Sequence, residues 1–146
     1  MTYARTITVA ATYELALERT RAALGAQGFG ILTEIDVRST LNTKLGAEAG
    51  EALGDYMILG ACNPGLASKA LAAEPQLGVL LPCNVVVRRG SVDGETIVEA
   101  IDPQTMVQLS GSPRIREIAD DADARLRAAL STISESGPAS DSGSAM

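Results

Sequence analysis

The feature that most constrains the fold of this chain is a regular apolar stripe in residues 113–133. Apolar side chains recur there at spacings of three and four, and charged side chains fall between them. The stripe consists of Ile115, Ile118, Ala119, Ala122, Leu126, Ala129, Leu130 and Ile133. Ser112 and Pro113 precede it, as a capping residue and a proline do at the start of a helix. The pattern predicts a long amphipathic helix, and the rest of the chain must offer an apolar surface that covers the stripe.

Five segments upstream of this helix have the apolar patterns of β-strands. They are residues 3–11, 29–37, 55–61, 77–89 and 96–101. Proline cannot donate a hydrogen bond to a strand ladder, so we expect a bulge or bend at Pro82 inside the fourth segment. Residues 90–94 are typical of a hairpin loop, which predicts antiparallel pairing of the last two strands.

Helix signals separate these strands. Thr12 is placed to cap a helix over 13–27, which Gly28 would end, and Asn63-Pro64 begins a helix over 64–73. Asp102-Pro103 begins a short helix that ends near Gly111. Residues 39–46 predict a short helical turn, and residues 47–54 an acidic surface connection of small residues.

The order β-α-β-β-α-β-β-α-α contains the split β-α-β arrangement and indicates an α+β fold. We expect a two-layer sandwich in which helices pack on one face of a mainly antiparallel sheet. Residues 1–134 are expected to form a single domain. Residues 135–146, rich in Ser, Gly and Ala, are expected to be a disordered tail.

Composition excludes several classes of function. Twelve Lys plus Arg against eighteen Asp plus Glu give a net charge of -6, which disfavours nucleic acid as a partner. The absence of His removes every Ser-His or Cys-His catalytic arrangement, and no catalytic residue, metal site or cofactor is predicted. No window approaches the roughly 18 apolar residues of a membrane span. With no signal peptide recognised at the N-terminus, we expect a cytoplasmic protein without membrane contact.

The sheet itself predicts self-association. Aromatic residues make up only 3% of the chain, so its core is built from small aliphatic side chains that bury little area each. Valines face both ways in Val85-Val86-Val87, so the second sheet face needs a cover. Either the C-terminal helix or a second subunit can supply it, and we expect a homodimer.

Several sequence blocks in order resemble the family called Domain of Unknown Function 302. The blocks are residues 28–37, residues 59–64, residues 80–87, Thr40-Leu41, Lys44-Leu45-Gly46, and Asp102-Pro103 with Met106. The similarity extends over roughly residues 3–133. It implies a small bacterial or archaeal α+β domain, homodimeric in family members, with no assigned reaction. The resemblance therefore supplies no catalytic residues.

The two cysteines are the first candidates for a site. Cys62 directly precedes the Asn63 cap, where free N–H groups and the helix dipole favour an anion such as a thiolate. Cys83 shares the Cys-Asn dipeptide, so two thiolates could bind a soft ion such as Cu(I). The alternative is that both cysteines fill apolar space. In the split β-α-β layout Cys62 ends its strand and Cys83 lies near the beginning of the next parallel one, so we expect the thiols at opposite ends of the sheet, which disfavours a disulfide or a shared metal.

Glu34 and Asp36 are the second candidate pair. Two apart on one strand, they share a face and could bind a hard cation. The alternative is a solvated strand edge, neutralised by Arg38 and Lys44.

These residues lead to a hypothesis of function. We expect a module that binds a small molecule or ion in a cleft formed by the Glu34–Asp36 strand, the Cys62-Asn63 turn and Cys83. A thiol-dependent enzyme or redox protein that uses Cys62 is the alternative, with Lys44 or an arginine holding the thiolate. A purely structural interaction domain remains a third class.

Overall fold

A five-stranded sheet organises residues 2–135, the part of the chain that the computed structural model describes. The strands are β1 (Ala4–Val9), β2 (Gly30–Asp36), β3 (Tyr56–Cys62), β4 (Cys83–Arg89) and β5 (Thr96–Ile101). Their order is β1-β5-β4-β3-β2, and every neighbouring pair is antiparallel. The edge strands β1 and β2 therefore run in the same direction. Together with the helix between them they form a β-α-β unit, and β5, β4 and β3 lie between its two strands. The predicted α+β fold on a mainly antiparallel sheet is confirmed.

The helices begin where the sequence supplies caps. They are α1 (Tyr13–Ala26), α2 (Val37–Leu45), α3 (Ala47–Leu53), α4 (Pro64–Ala73), α5 (Gln104–Ser110) and α6 (Pro113–Glu135). Thr12 Oγ1 accepts the Leu15 N–H at 3.2 Å, and Asn63 Oδ1 accepts the Leu66 N–H at 3.1 Å. Both predicted N-caps are confirmed, because each side chain satisfies an N–H that lacks a partner within its helix.

The prediction of a surface connection over residues 47–54 is wrong, because the segment forms α3. Gly46, at φ +104°, separates α3 from α2. A Cβ on Gly50 would collide with the Arg38 carbonyl oxygen, so only glycine allows the two short helices to pack this closely. The packing of α2 against α3 stabilises both helices. The sequence of residues 47–54, which is acidic and rich in small residues, does not reveal this contact.

The prediction of a strand over the whole of 77–89 is also wrong. A 3₁₀ helix occupies Pro75–Leu80, and β4 begins only at Cys83, after a cis Leu81-Pro82 peptide bond. Leu77 is 2% exposed and packs as a core residue of a strand would, whereas Val79 in the same helix is 86% exposed. Continuous hydrophobicity does not distinguish a buried strand from a buried turn of helix.

The two long helices share one face of the sheet. Leu24 of α1 and Leu126 of α6 belong to the same buried cluster as Val85 and Val98 from the central strands. Because α6 packs beside α1, it does not cover the opposite face. There, half-buried apolar side chains alternate with polar ones. The apolar members are Tyr56, Ile58, Val86, Ile97 and Ile101.

Two further expectations concern the whole chain. Within residues 2–135, no helix combines the length and apolar character needed to cross a membrane. Glu135, expected to begin the tail, is the last residue of α6. The remainder of the predicted tail, residues 136–146, lies outside the described residues.

Candidate functional site

A cavity of about 280 Å³ lies beside the ends of β3 and β4. Phe29, Ala61 and Cys83 border it on the sheet side, and Leu66 and Ala70 of α4 on another. Residues of the 3₁₀ helix, α5 and α6 complete the wall. Asn63 is the one lining residue of the described chain whose side chain carries a nitrogen or oxygen atom. The lining is therefore almost wholly apolar.

The cavity separates two parts of the hydrophobic core. Phe29 and Ala61 belong to the main cluster under α1 and α6. Leu77, Met106 and Ile115 belong to a second cluster, which packs around α4 and the start of α6. Many positions between the two clusters are alanines, whose side chains are too short to close the space. These are Ala61, Ala67, Ala70, Ala119 and Ala122.

The cavity opens to solvent beside two leucines. Leu32 is 65% exposed and Leu71 is 38% exposed, although both line the cavity. Leu32 lies at a register shift in β2, between the pairs Ile31–Ala61 and Thr33–Gly60. A molecule from solvent can therefore reach the apolar interior past two side chains that already face water.

Asn63 and Arg125 form a polar rim near the cavity. The cap hydrogen bond to Leu66 uses Asn63 Oδ1, which directs Nδ2 toward Gly28. A Cβ placed on Gly28 would lie 3.0 Å from Asn63 Nδ2 and 3.4 Å from Arg125 Nη1. Gly28 has φ +85°, so glycine suits the position both by conformation and by the absence of a side chain. Two donor groups thus meet at one point of the rim.

The two cysteines lie at the same end of the sheet, and the placement expected from parallel strands is wrong. Because β3 and β4 are antiparallel neighbours, Ala61 stands opposite Cys83 and Cys62 is the next residue along β3. Side chains alternate faces along a strand, so Cys62 does not face Cys83 directly. Both cysteines are free, and both border the cavity.

The environment of Cys83 disfavours a charged sulfur. Its side chain is buried, and burial raises the pKa of the thiol from 9.0 to about 11, with a smaller contribution from Cys62. At neutral pH Cys83 is therefore an uncharged, apolar part of the wall. Cys62 is less buried and stands at the beginning of α4.

Glu34 and Asp36 do not border the cavity. Glu34 accepts two hydrogen bonds from Arg21 of α1, at 2.6 and 3.1 Å, and Asp36 accepts the Ser39 N–H at 3.0 Å as the cap of α2. The expected neutralisation by Arg38 is wrong, because Arg38 pairs with Glu51 and Asp55. The structure thus brings Cys62, Asn63 and Cys83 to one cavity and leaves the two carboxylates in structural roles. Among the described residues, no group of three or more His, Cys, Asp or Glu side chains could hold a metal ion.

Sequence reasoning missed most of the cavity wall. Ile115, Ala119 and Ala122 follow the same helical spacing as the core positions of α6, so periodicity assigns them to the core. The only available signal was the excess of alanine in α4 and α6. Arg125 carried no signal, since it is one of several arginines on a charged helix face.

Comparison with protein-family models decides the classification. The model described as "Domain of unknown function DUF302" matches residues 5–133, nearly all of the described chain. The protein is a member of the DUF302 family. The predicted resemblance is confirmed, and the blocks that carried it lie in β2, α2, the end of β3, the first part of β4 and the start of α5.

A solved structure of another DUF302 protein has the same fold. It is an uncharacterized conserved protein from Bacillus stearothermophilus, 28% identical in sequence, with a TM-score of 0.77. The match covers 91% of this chain and 99% of the other chain. No curated protein matches this chain. Membership in DUF302 establishes the fold but assigns no function, so a function has to be inferred from the geometry of the cavity.

Proposed function

We propose that this DUF302 protein is a homodimeric binding module that takes a small apolar molecule into the cavity beside Cys62. The observation that carries the proposal is a solvent-accessible cavity of about 280 Å³ in which, among residues 2–135, the amide of Asn63 is the only lining side chain with a nitrogen or oxygen atom. Binding pockets are typically concave, mostly apolar and equipped with a few polar groups. An engineered apolar cavity of about 150 Å³ binds benzene, so this volume suits a molecule about twice that size.

The same lining favours an apolar ligand over an ion. A metal ion or other charged group would lose its hydration inside walls that offer almost no compensating polar atoms. The two carboxylates that could have neutralised a cation are engaged elsewhere, with Arg21 and with the first turn of α2. We therefore choose the small molecule from the two ligand classes that the sequence left open.

Cys62-based chemistry remains the second candidate function. The half-buried Cys62 borders the cavity at the end of β3, two residues before α4 begins. Cys83 could not assist as a thiolate, because its pKa is raised to about 11. Binding of an uncharged apolar molecule requires no thiolate from either cysteine, which favours binding over catalysis.

The sheet face opposite α1 and α6, here called the open face, supports the homodimer. Its half-buried apolar residues surround an ion pair in which Arg88 Nε donates to Glu99 Oε2 at 2.6 Å. This hydrogen bond raises the pKa of Arg88 and lowers that of Glu99, so both stay charged and neutralise each other within one chain. A face whose half-buried apolar residues surround a neutralised ion pair suits a second copy of itself, since symmetric pairing brings no excess of like charge together. The proposal also includes a cytoplasmic location, which cell fractionation would test.

The cavity proposal is tested with a neutral apolar probe and a variant that fills the cavity. We expect isothermal titration calorimetry to show saturable binding of 1-decanol to the intact protein. Ala67→Leu adds three carbons to a lining residue of α4 and is expected to weaken binding at least tenfold. Ala72→Leu is the matched control, because Ala72 is exposed on the same helix and does not line the cavity.

Two results would overturn the cavity proposal. One is the absence of saturable 1-decanol binding to the protein as it stands. The other is an equal loss in Ala67→Leu and Ala72→Leu, which would place the probe at a different surface.

A further inference from the structure

We infer that the natural ligand is an amphiphile, with an apolar chain inside the cavity and a carboxylate head at the rim beside Asn63 and Arg125. The inference rests on the proposed function, since the apolar chain must occupy the cavity. It adds the chemical class of the head group and the residues that recognise it.

The rim offers two donors, and the Gln27 carbonyl oxygen beside them accepts from one of these, Arg125 Nη1. Asn63 Nδ2 and Arg125 Nη1 both lie within 3.4 Å of the point that a Gly28 Cβ would occupy. The identity of the Asn63 amide atoms follows from the cap hydrogen bond, because only Oδ1 can accept the Leu66 N–H. Within residues 2–135, Nδ2 donates to no protein acceptor. An anionic oxygen cannot occupy the Cβ position itself, which lies within bonding distance of the Gly28 Cα, but one placed over the exposed Gly28 would lie between the two donors.

Arg125 keeps donors available for such an oxygen. Its Nε donates to Asp121 Oδ1 at 2.8 Å, and its Nη1 donates to the Gln27 carbonyl oxygen at 2.9 Å. These bonds use two of the five N–H groups of the guanidinium. They also hold its plane in place against the end of α1. The Asp121 side chain is 47% exposed, so water screens its charge and its competition with a ligand is weak.

Asn63 connects the rim to the cavity, whereas Gly28 and Arg125 lie just outside the lining. Asn63 is itself a lining residue, Gly28 directly precedes the lining residue Phe29, and Arg125 stands one helical turn after the lining residue Ala122. A chain that fills the cavity can therefore leave its last atoms beside these donors. The positive end of the α4 dipole, which begins at Asn63, adds to the attraction for an anion.

A carboxylate fits this rim better than a neutral head group. Guanidinium groups bind carboxylates through charge-assisted hydrogen bonds, which are shorter and stronger than neutral ones. The volume of about 280 Å³ sets the length of the chain. On the scale of one benzene in about 150 Å³, it corresponds to roughly eight to twelve carbon atoms. The inferred ligand class is thus a medium-chain carboxylate or an aryl carboxylate of similar size.

The test compares two probes that differ only in the head group. We expect the intact protein to bind decanoate five- to tenfold more tightly than 1-decanol in low salt, by isothermal titration calorimetry. Arg125→Gln should remove this preference while leaving 1-decanol binding unchanged. The matched control is Arg116→Gln, which deletes the same charge from an exposed position of α6. It should retain the preference.

A second variant tests Asn63 without breaking the helix cap. Asp is as good an N-cap as Asn, so Asn63→Asp keeps an oxygen that accepts the Leu66 N–H but replaces the Nδ2 donor with negative charge. Decanoate binding should weaken more than tenfold, with 1-decanol binding unchanged. Circular dichroism would check that the helix content is retained.

The outcomes separate the two proposals. If decanoate and 1-decanol bind equally and neither variant distinguishes them, the carboxylate inference fails while the apolar cavity stands. If neither probe binds, both the inference and the proposed function fail. A preference that persists in Arg125→Gln and Asn63→Asp would place the head group elsewhere and overturn the assignment of these two residues.

Discussion

Arg5 and Asp123, separated by 118 positions in the sequence, form a two-point ion pair that ties the first strand to the last helix. Arg5 Nε donates to Asp123 Oδ1 at 2.8 Å, and Arg5 Nη2 donates to Asp123 Oδ2 at 3.0 Å. Arg5 also pairs with Asp102 at 3.2 Å, just before α5. Asp123 is only 8% exposed. One arginine thus joins β1, α6 and the start of α5, and α6 is held over the cavity in that position.

Removing the Asp123 charge should destabilise the protein. In Asp123→Asn, one acceptor oxygen becomes an amide donor that faces the Arg5 guanidinium, and the partly buried cation keeps only one of its two carboxylate partners, Asp102. We expect a loss of about 2 kcal/mol in the free energy of unfolding, measured by urea denaturation. Asp121→Asn is the control, because Asp121 makes an exposed pair on the same helix and should cost less than about 0.5 kcal/mol. Equal losses in the two variants would contradict the anchoring role of Arg5 and Asp123.

Stability should fall at alkaline pH because of Cys83 and Tyr13. Burial raises the pKa of Cys83 from 9.0 to about 11, and burial together with Asp36 raises that of Tyr13 from 10.0 to about 12. Between the ordinary and the raised pKa, the unfolded chain loses a proton that the folded chain keeps. Unfolding therefore becomes more favourable as pH rises from about 9 to about 12, and below pH 9 the contribution is fully present.

Urea denaturation between pH 8 and pH 12 measures this effect. Cys83→Ala should flatten the decline between pH 9 and pH 11, where the buried thiol contributes about 2–3 kcal/mol. Tyr13→Phe should flatten the part between pH 10 and pH 12. An unchanged pH slope in Cys83→Ala would show that the thiol ionises as easily in the folded protein as in the unfolded chain.

The two cysteines should differ in reactivity. Cys83 is 7% exposed and its thiol stays protonated at neutral pH, whereas Cys62 is half-buried at the beginning of α4. At pH 8 we expect iodoacetamide to modify Cys62 at least a hundredfold faster than Cys83, followed by mass spectrometry. Cys62→Ser should abolish the fast phase, and urea should make Cys83 reactive. If both thiols resist until the protein unfolds, Cys62 is a core residue and the thiol-enzyme alternative fails.

The homodimer predicts a specific effect of charge on the open sheet face. Light scattering of the full chain should report about twice the 15.1 kDa chain mass at micromolar concentration. Val86→Asp places a carboxylate at the centre of the apolar face and should give the monomer mass with unchanged circular dichroism. Leu109→Asp is the control, because Leu109 is 66% exposed on α5, away from that face. A monomeric wild-type protein would contradict the homodimer.

Local sequence signals determined the individual elements. The Asn63-Pro64 pair predicts the helix Pro64–Ala73 with its observed bounds, because capping depends on hydrogen bonds within a few residues. The apolar stripe likewise predicts α6, and alternation predicts β5 over Thr96–Ile101. Such signals failed where packing outweighs local preference, as in α3 and the 3₁₀ helix before β4. The family blocks could be recognised from the sequence because each is a short contiguous run of residues in a strand, a cap or a short helix.

The relationships between elements were decided only by the tertiary structure. Nothing in the sequence near Cys62 or Cys83 specifies the direction of β3 against β4, which depends on how α4 and the 3₁₀ helix return the chain. That antiparallel return brings the cysteines to one end of the sheet and places α4 across the space that the alanines leave open. The position of α6 beside α1 leaves the other sheet face uncovered. A cavity is space that the side chains of elements distant in sequence leave unfilled. The residues that line it therefore have the same local sequence pattern as residues of a filled core.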